Sequence, residues 1–301
     1  MKKHISITAI LLILLINCGF GQLPPGEFIT NSTIKILTQY NKIKDGKLTS
    51  YTGSGTGFFF NFDYGDSTIP VIVTNFHVID SIESVTFYFK QKGQSGEPLY
   101  TKTEKIKIDK SQLKWIKHPD PKVDLAIMPI TPLLNHYQKL NKGLFYAAYE
   151  ENDIPNDSTI NSLSAMENVL MLGYPSGLRD IKNDLPIVRQ GITATPYYID
   201  YNSNQEFLCD LSMFPGSSGS PIVIFNPGSF IGKYGEFYLR SRFIFLGIAY
   251  KTYTRGFEAK ITNSDSSNLV INNPTITTSI PLNVAVVIKA IRLLDFKPLL
   301  K

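Results

Sequence analysis

At 301 residues the chain is long enough for one large domain or two small ones with a real core. Hydrophobic residues make up 43% and charged residues 18%, which excludes a disordered chain. The net charge is +5 and no basic run exceeds two residues, so nothing points to nucleic acid as a partner.

The first segment reads as a targeting sequence. Lys2 and Lys3 precede an apolar run, Ile5–Ile16, that is too short for a membrane span of about 20 residues but suits a signal-peptide core. Residues 1–21 are therefore expected to be removed on export to a periplasm or the exterior, with small residues at Gly19 and Gly21 and a mature start at Gln22. The alternative is a lipoprotein: "LINC" resembles a bacterial lipobox, although Asn17 fits poorly before Cys18. Membrane attachment is expected only if Cys18 is lipidated. Cys209 would otherwise be the single remaining thiol, and its apolar strand-like setting, "EFLCDL", marks it as structural.

From there, short apolar runs alternate with turn residues. Strands are expected at 57–61, 70–75, 84–90, 105–108, 125–129, 169–172, 187–193, 206–211, 221–225 and 243–250, a spacing that suggests sandwich or barrel architecture. The polar stretch 149–164 reads as a connection between halves, and 263–279 as a surface loop. Val284, Val287, Ile288, Ile291 and Leu294 recur at helical spacing, which predicts a C-terminal amphipathic helix.

Chemistry concentrates in "MFPGSSGSPIV" (213–223), where serines sit in a glycine-rich bend just before an apolar run. Such a bend is an ordinary turn, or it holds a nucleophile beside backbone N–H groups aimed at a reacting carbonyl. A serine nucleophile needs a base, and histidine is the usual one. Of the four histidines, His4 falls in the leader, while His118 and His136 lie in polar, surface-like settings. His77 ends the run "IPVIVTNFHVID". Asp124, directly before "LAIM", offers a carboxylate heading into a core, where a histidine N–H is a suitable partner; Asp120 reads as a turn residue.

Taken in order, "GSGTGFFF" (53–60), "VTNFHVI" (73–79), "VDLAIM" (123–128), "VLMLGYP" (169–175), "RQGIT" (189–193) and "PGSSGSPIV" (215–223) resemble the trypsin-like serine peptidases of chymotrypsin fold. The likeness is greatest to Deg/HtrA-like protease domains, here without room for a PDZ domain after residue 250. The resemblance implies an all-β fold of two antiparallel six-stranded barrels, at about 30–148 and 165–300. It also implies a cleft between the barrels with His77, Asp124 and Ser218 as catalytic triad. Gly216 and Ser218 would supply the oxyanion-hole N–H groups, with Ser217 and Ser220 as look-alikes of the nucleophile. By the same resemblance Ser212 lies at the base of the primary side-chain pocket, beside Met213 and Tyr250. Ser212 is not acidic, and Ala249 stands where glutamyl-specific relatives carry a histidine, so cleavage after uncharged, apolar residues is expected. Ser217 takes the place of the aspartate that a newly cut N-terminus pairs with in zymogens, so no proteolytic activation is expected.

The function expected is that of an exported endopeptidase acting on proteins or peptides through an acyl-enzyme, with no cofactor and no metal. Oligomeric state is not legible. The alternatives are a non-catalytic trypsin-like binding protein and a lipidated surface interaction protein. An esterase is disfavoured because Ser218 feeds a strand-like run rather than a helix.

Overall fold

A computed structural model of the chain describes residues 23–260 and 275–300. The expected leader, with Cys18, and most of the expected 263–279 loop lie outside them.

The first half contains α1 (Pro25–Asn31), β1 (Thr33–Lys44), β2 (Lys47–Asp63), β3 (Thr68–Thr74), α2 (Phe76–Ile79), β4 (Ser84–Lys92) and β5 (Pro98–Asp109). It continues with β6 (Ile116–Lys117), β7 (Ala126–Pro129), α3 (Thr131–Lys139), β8 (Leu144–Phe145) and β9 (Ala148–Glu150). Its strands form a nine-stranded sheet in the order β5-β4-β1-β2-β3-β7-β6, with β8 added to β4 and β9 to β2. The expectation of a six-stranded barrel here is thus adjusted. The three strands beyond six, β6, β8 and β9, are only two or three residues long and carry too little pattern to be read in sequence.

The second half contains α4 (Asp157–Ser162), β10 (Asn168–Gly173), β11 (Ile187–Thr193), β12 (Glu206–Asp210) and β13 (Pro221–Asn226). A hairpin of β14 (Phe230–Ile231) and β15 (Phe237–Tyr238) follows, then the long strands β16 (Arg242–Lys260) and β17 (Thr275–Lys289). Six of these close into a barrel in the order β10-β11-β12-β17-β16-β13.

The predicted C-terminal helix is corrected in extent and type. Val284, Val287 and Ile288 belong to β17, and only Ala290–Leu300 is helical, as a 3₁₀ segment. In "VAVVI" nearly every position is apolar, so a helical period can be drawn through what is a strand buried on both faces. Ala285 and Val287 point into the barrel, while Ile288 joins the core between the halves.

That middle core explains why the site is held as one unit. On β2, Phe58, Phe60 and Phe62 face the second half and meet Val223, Phe245 and Ile248, whereas Phe59 turns into the first half's own interior with Ile72 and Phe89. The alternation is that of a strand covered on both sides. Each such phenylalanine contributes about 1.5–3 kcal/mol by burial. Tyr149 is fully buried among them, stacked on Phe245 at 5.0 Å between centroids, and its hydroxyl accepts a hydrogen bond from Ser32 Oγ at 2.7 Å.

His118 is also corrected. It is buried rather than surface-placed: Nδ1 accepts the Asp120 N–H at 3.0 Å and Nε2 meets the Arg292 carbonyl at 3.0 Å. Its ring packs edge-on against Phe296, so it fastens the C-terminal segment to the first half. Asp120 is a turn residue, accepting the Lys122 N–H, and His136 is exposed on α3.

Candidate active site

The apolar strand β3 ends at Thr74, and Asn75 in extended conformation leads into the single turn of α2 that carries His77. Asp124 lies just before β7, which pairs with β3, so strand pairing brings the two residues together across 47 positions. Asp124 Oδ2 meets His77 Nδ1 at 2.5 Å, and Oδ1 accepts the His77 backbone N–H at 2.9 Å. Asn75 Nδ2 donates to the Asp124 carbonyl at 2.8 Å. One carboxylate therefore fixes both the ring and the backbone of the histidine. With Nδ1 donating to the carboxylate, Nε2 is left as the basic nitrogen.

The bend before β13 supplies the serines. Ser217 and Ser220 are fully buried, and Ser218 alone of the three reaches the surface. Ser218 and Gly216 line a cleft of about 540 Å³ together with His77, Ser54 and Tyr40. Gly216 (φ +93°) and Gly219 (φ +89°) hold the bend in the left-handed region that glycine adopts without strain. A Cβ on Gly216 would stand 2.6 Å from the Tyr174 carbonyl oxygen, and one on Gly219 would collide with the carbonyl of Thr56. The bend is anchored to β16 by Gly219 N–H donating to Ala249 O and Ala249 N–H donating to Ser220 O, both at 2.9 Å.

Two backbone donors in this bend are free. Among the described residues, neither Gly216 N–H nor Ser218 N–H has an acceptor, while Ser217 N–H is satisfied by Phe214 O at 2.9 Å. Unpaired N–H groups beside an accessible hydroxyl and an imidazole are suited to receive a developing oxyanion.

The residues expected around the primary side-chain pocket all belong to the second half. Met213 is buried in the barrel core with Met171 and Leu211, and Ser212 is half-buried. Tyr250 sits at a bulge in β16, where the register with β17 shifts between Ala249 and Lys251, and donates its hydroxyl to Glu206 at 2.7 Å. Burial and the Glu206 carboxylate hold that phenol well above its ordinary pKa. None of the three lines the cleft that contains His77. Cys209 is buried, and burial pushes its thiol up, away from reactivity. Among the described residues no group of three or more His, Cys, Asp or Glu side chains is arranged to hold a metal ion.

The sequence alone assigns no role to Thr56, which hydrogen-bonds both to Tyr174 after β10 and to the serine-bearing bend before β13. Its signal was present in "GSGTGFFF", a polar residue separated by one glycine from a run of buried phenylalanines, but only the fold reveals its partners.

The family model for the trypsin-like peptidase domain matches residues 55–232, a span that includes His77, Asp124 and Ser218. Two solved structures are similar to the chain. One is an HtrA-type protease AlgW with tripeptide, at 13% identity and a TM-score of 0.45, covering 90% of this chain and 60% of that one. The other is a thermostable serine protease AL20 from an extremophilic microorganism, at 11% identity and a TM-score of 0.40, covering 75% of this chain and 87% of that one. The chain thus spans about 60% of the length of the AlgW chain. No curated protein sequence matches it.

Proposed function

The chain belongs to the trypsin-like peptidase family of serine-type endopeptidases, and from that premise we propose that it is an exported endopeptidase using Ser218, His77 and Asp124. The observation that carries this reading is the conjunction in one cleft of an accessible Ser218, a carboxylate-bound His77 and two unpaired N–H groups.

In this mechanism Ser218 Oγ attacks the scissile carbonyl carbon as its proton passes to His77 Nε2. Asp124, held against Nδ1, stabilises the imidazolium and keeps the ring in the attacking orientation. The carbonyl oxygen becomes an oxyanion and is received by Gly216 N–H and Ser218 N–H. The tetrahedral species collapses by breaking the C–N bond, with His77 returning the proton to the leaving amine. The acyl-enzyme ester on Ser218 is then hydrolysed by water, deprotonated in turn by His77.

Substrates are proteins or peptides. The family resemblance puts Ser212 at the base of the primary side-chain pocket, and its uncharged side chain supports cleavage after uncharged, apolar residues, since a Lys or Arg side chain would find no carboxylate there. Export is supported by the basic start and short apolar run of residues 1–21. Activity without prior proteolysis is supported by the bend itself. Ser217 is buried and uncharged, and its N–H and hydroxyl are bonded to Phe214, so no inserted ammonium group is needed to order it.

Incubation of the chain with a peptide library, beside Ser218→Ala, tests the proposal. The expected result is cleavage after apolar residues by the parent chain and none by the variant. Equal cleavage by both proteins would overturn the assignment of Ser218, and a profile dominated by Arg, Lys or Glu would overturn the specificity.

A further inference from the structure

Because a peptide group is planar, with C=O and N–H pointing in opposite directions, fixing a carbonyl also aims the N–H of the following residue. Ser218 N–H shares its peptide group with the Ser217 carbonyl, which accepts Ser220 N–H at 3.0 Å within the bend itself. Gly216 N–H shares its group with the Pro215 carbonyl, and that oxygen is held from outside the bend, by Ser176 N–H at 2.6 Å. One oxyanion donor is aimed locally and the other depends on the turn Tyr174–Gly177 that follows β10.

The first half holds that turn. Thr56 Oγ1 accepts Tyr174 N–H at 3.0 Å and donates to the Gly216 carbonyl at 2.8 Å, so a single buried hydroxyl joins the turn to the bend. Thr56 N–H also donates to the Ser218 carbonyl at 2.9 Å. Lys35 of β1, itself buried, donates from Nζ to the Gly177 carbonyl at 3.0 Å at the other end of the turn. Ser176 has left-handed backbone (φ +50°), a conformation a non-glycine residue keeps only where its surroundings impose it.

Resting on the peptidase reading above, we propose that Thr56, seconded by Lys35, is a positioning residue for the Gly216 oxyanion donor. A hydroxyl from the first half thereby sets the alignment of an oxyanion hole built from the second.

The test compares Thr56→Val, which keeps the shape and removes the hydroxyl, with Thr56→Ser, which keeps the hydroxyl, both in the full chain. Three quantities are read: kcat and KM on a peptide substrate, the pH profile of kcat/KM, and affinity for a peptide aldehyde. Ser218 Oγ adds to the aldehyde carbon, and the former carbonyl oxygen occupies the oxyanion hole. Loss of a whole oxyanion donor costs about 10²–10³ in kcat, so misalignment of one is expected to cost about 10–100-fold. Thr56→Val should show that loss in kcat with KM nearly unchanged, a parallel loss of aldehyde affinity, and the parent pH profile. Thr56→Ser should recover most of both losses.

A Thr56→Val protein that melts earlier but keeps parent kcat and aldehyde affinity would overturn the proposal. So would a Thr56→Ser protein as impaired as Thr56→Val. If Thr56→Val does not fold, Lys35→Met and its rescue by Lys35→Arg carry the same test, with the same readouts in the same direction. A parent chain that neither cleaves peptides nor binds the aldehyde would sink the peptidase reading instead, a different result from either of these.

Discussion

The two halves serve one cleft by different means. The first half contributes side-chain chemistry on regular elements: Asp124 precedes a strand, His77 rides one helical turn, and two hydrogen bonds join them. The second half contributes backbone. Its bend owes its shape to two left-handed glycines and to carbonyls tied down on three sides, and apart from Ser218 its side chains do little at the cleft. Side-chain substitutions in the first half should therefore remove function and spare the fold. Substitutions in the bend should damage both together, because there the fold is the functional group.

The largest effect should come from the first half. His77→Ala is expected to lower turnover by several orders of magnitude, and Asp124→Asn by about 10⁴-fold, as when a triad carboxylate is replaced and the wrong imidazole tautomer results. Thermal unfolding of both variants should stay close to that of the parent. A variant that lost activity only because it unfolded would break the comparison.

Gly219→Ala tests the other side. Its Cβ would meet the Thr56 carbonyl and the Thr74 hydroxyl, in a backbone conformation costing about 1–3 kcal/mol for a non-glycine residue. Urea unfolding should show at least that loss of stability, accompanied by loss of turnover. A Gly219→Ala protein of parent stability would mean that the bend is not backbone-limited.

A smaller effect sharpens the contrast by leaving the cleft alone. Asp153, in the connection between the halves, has its carboxyl pushed up to about 6, chiefly by burial and further by the Glu150 carboxylate, against an opposing hydrogen bond from Glu150 N–H. The folded state thus holds a proton that the unfolded state releases between about pH 4 and 6, so stability falls as pH rises through that window. Asp153→Asn keeps an acceptor for the Glu150 N–H and should raise the melting temperature by a few degrees at pH 7–8. The gain should fade towards pH 4, and turnover should not change. An equal gain at pH 4 would assign the effect to something other than ionisation.

What the sequence made legible follows the same division. The contact of His77 with Asp124 and the place of Ser218 in the same cleft as His77 could be anticipated because each of the three sits in a local motif whose residue type carries chemistry. The strands β3 and β13, buried over residues 70–74 and 221–224, were readable from their short apolar runs. Residues whose meaning is purely tertiary were not. His118 looked like a surface residue in "KHPDP" because its partners, Arg292 and Phe296, lie more than 170 positions away. Val284 and Val287 fitted a helical period because a strand buried on both faces leaves no alternation to count. β1 was missed because its polar second half, ending in "NKIK", is exposed and continues only as part of a hairpin. Thr56 was one polar residue among glycines until the second half folded against it.

The most direct test of the central claim is covalent labelling of the chain with a fluorophosphonate, followed by mass spectrometry of its peptides. One adduct per chain is expected, on Ser218, formed slowly or not at all in His77→Ala. An adduct on Ser217 or Ser220, or undiminished labelling of Ser218 without His77, would contradict it.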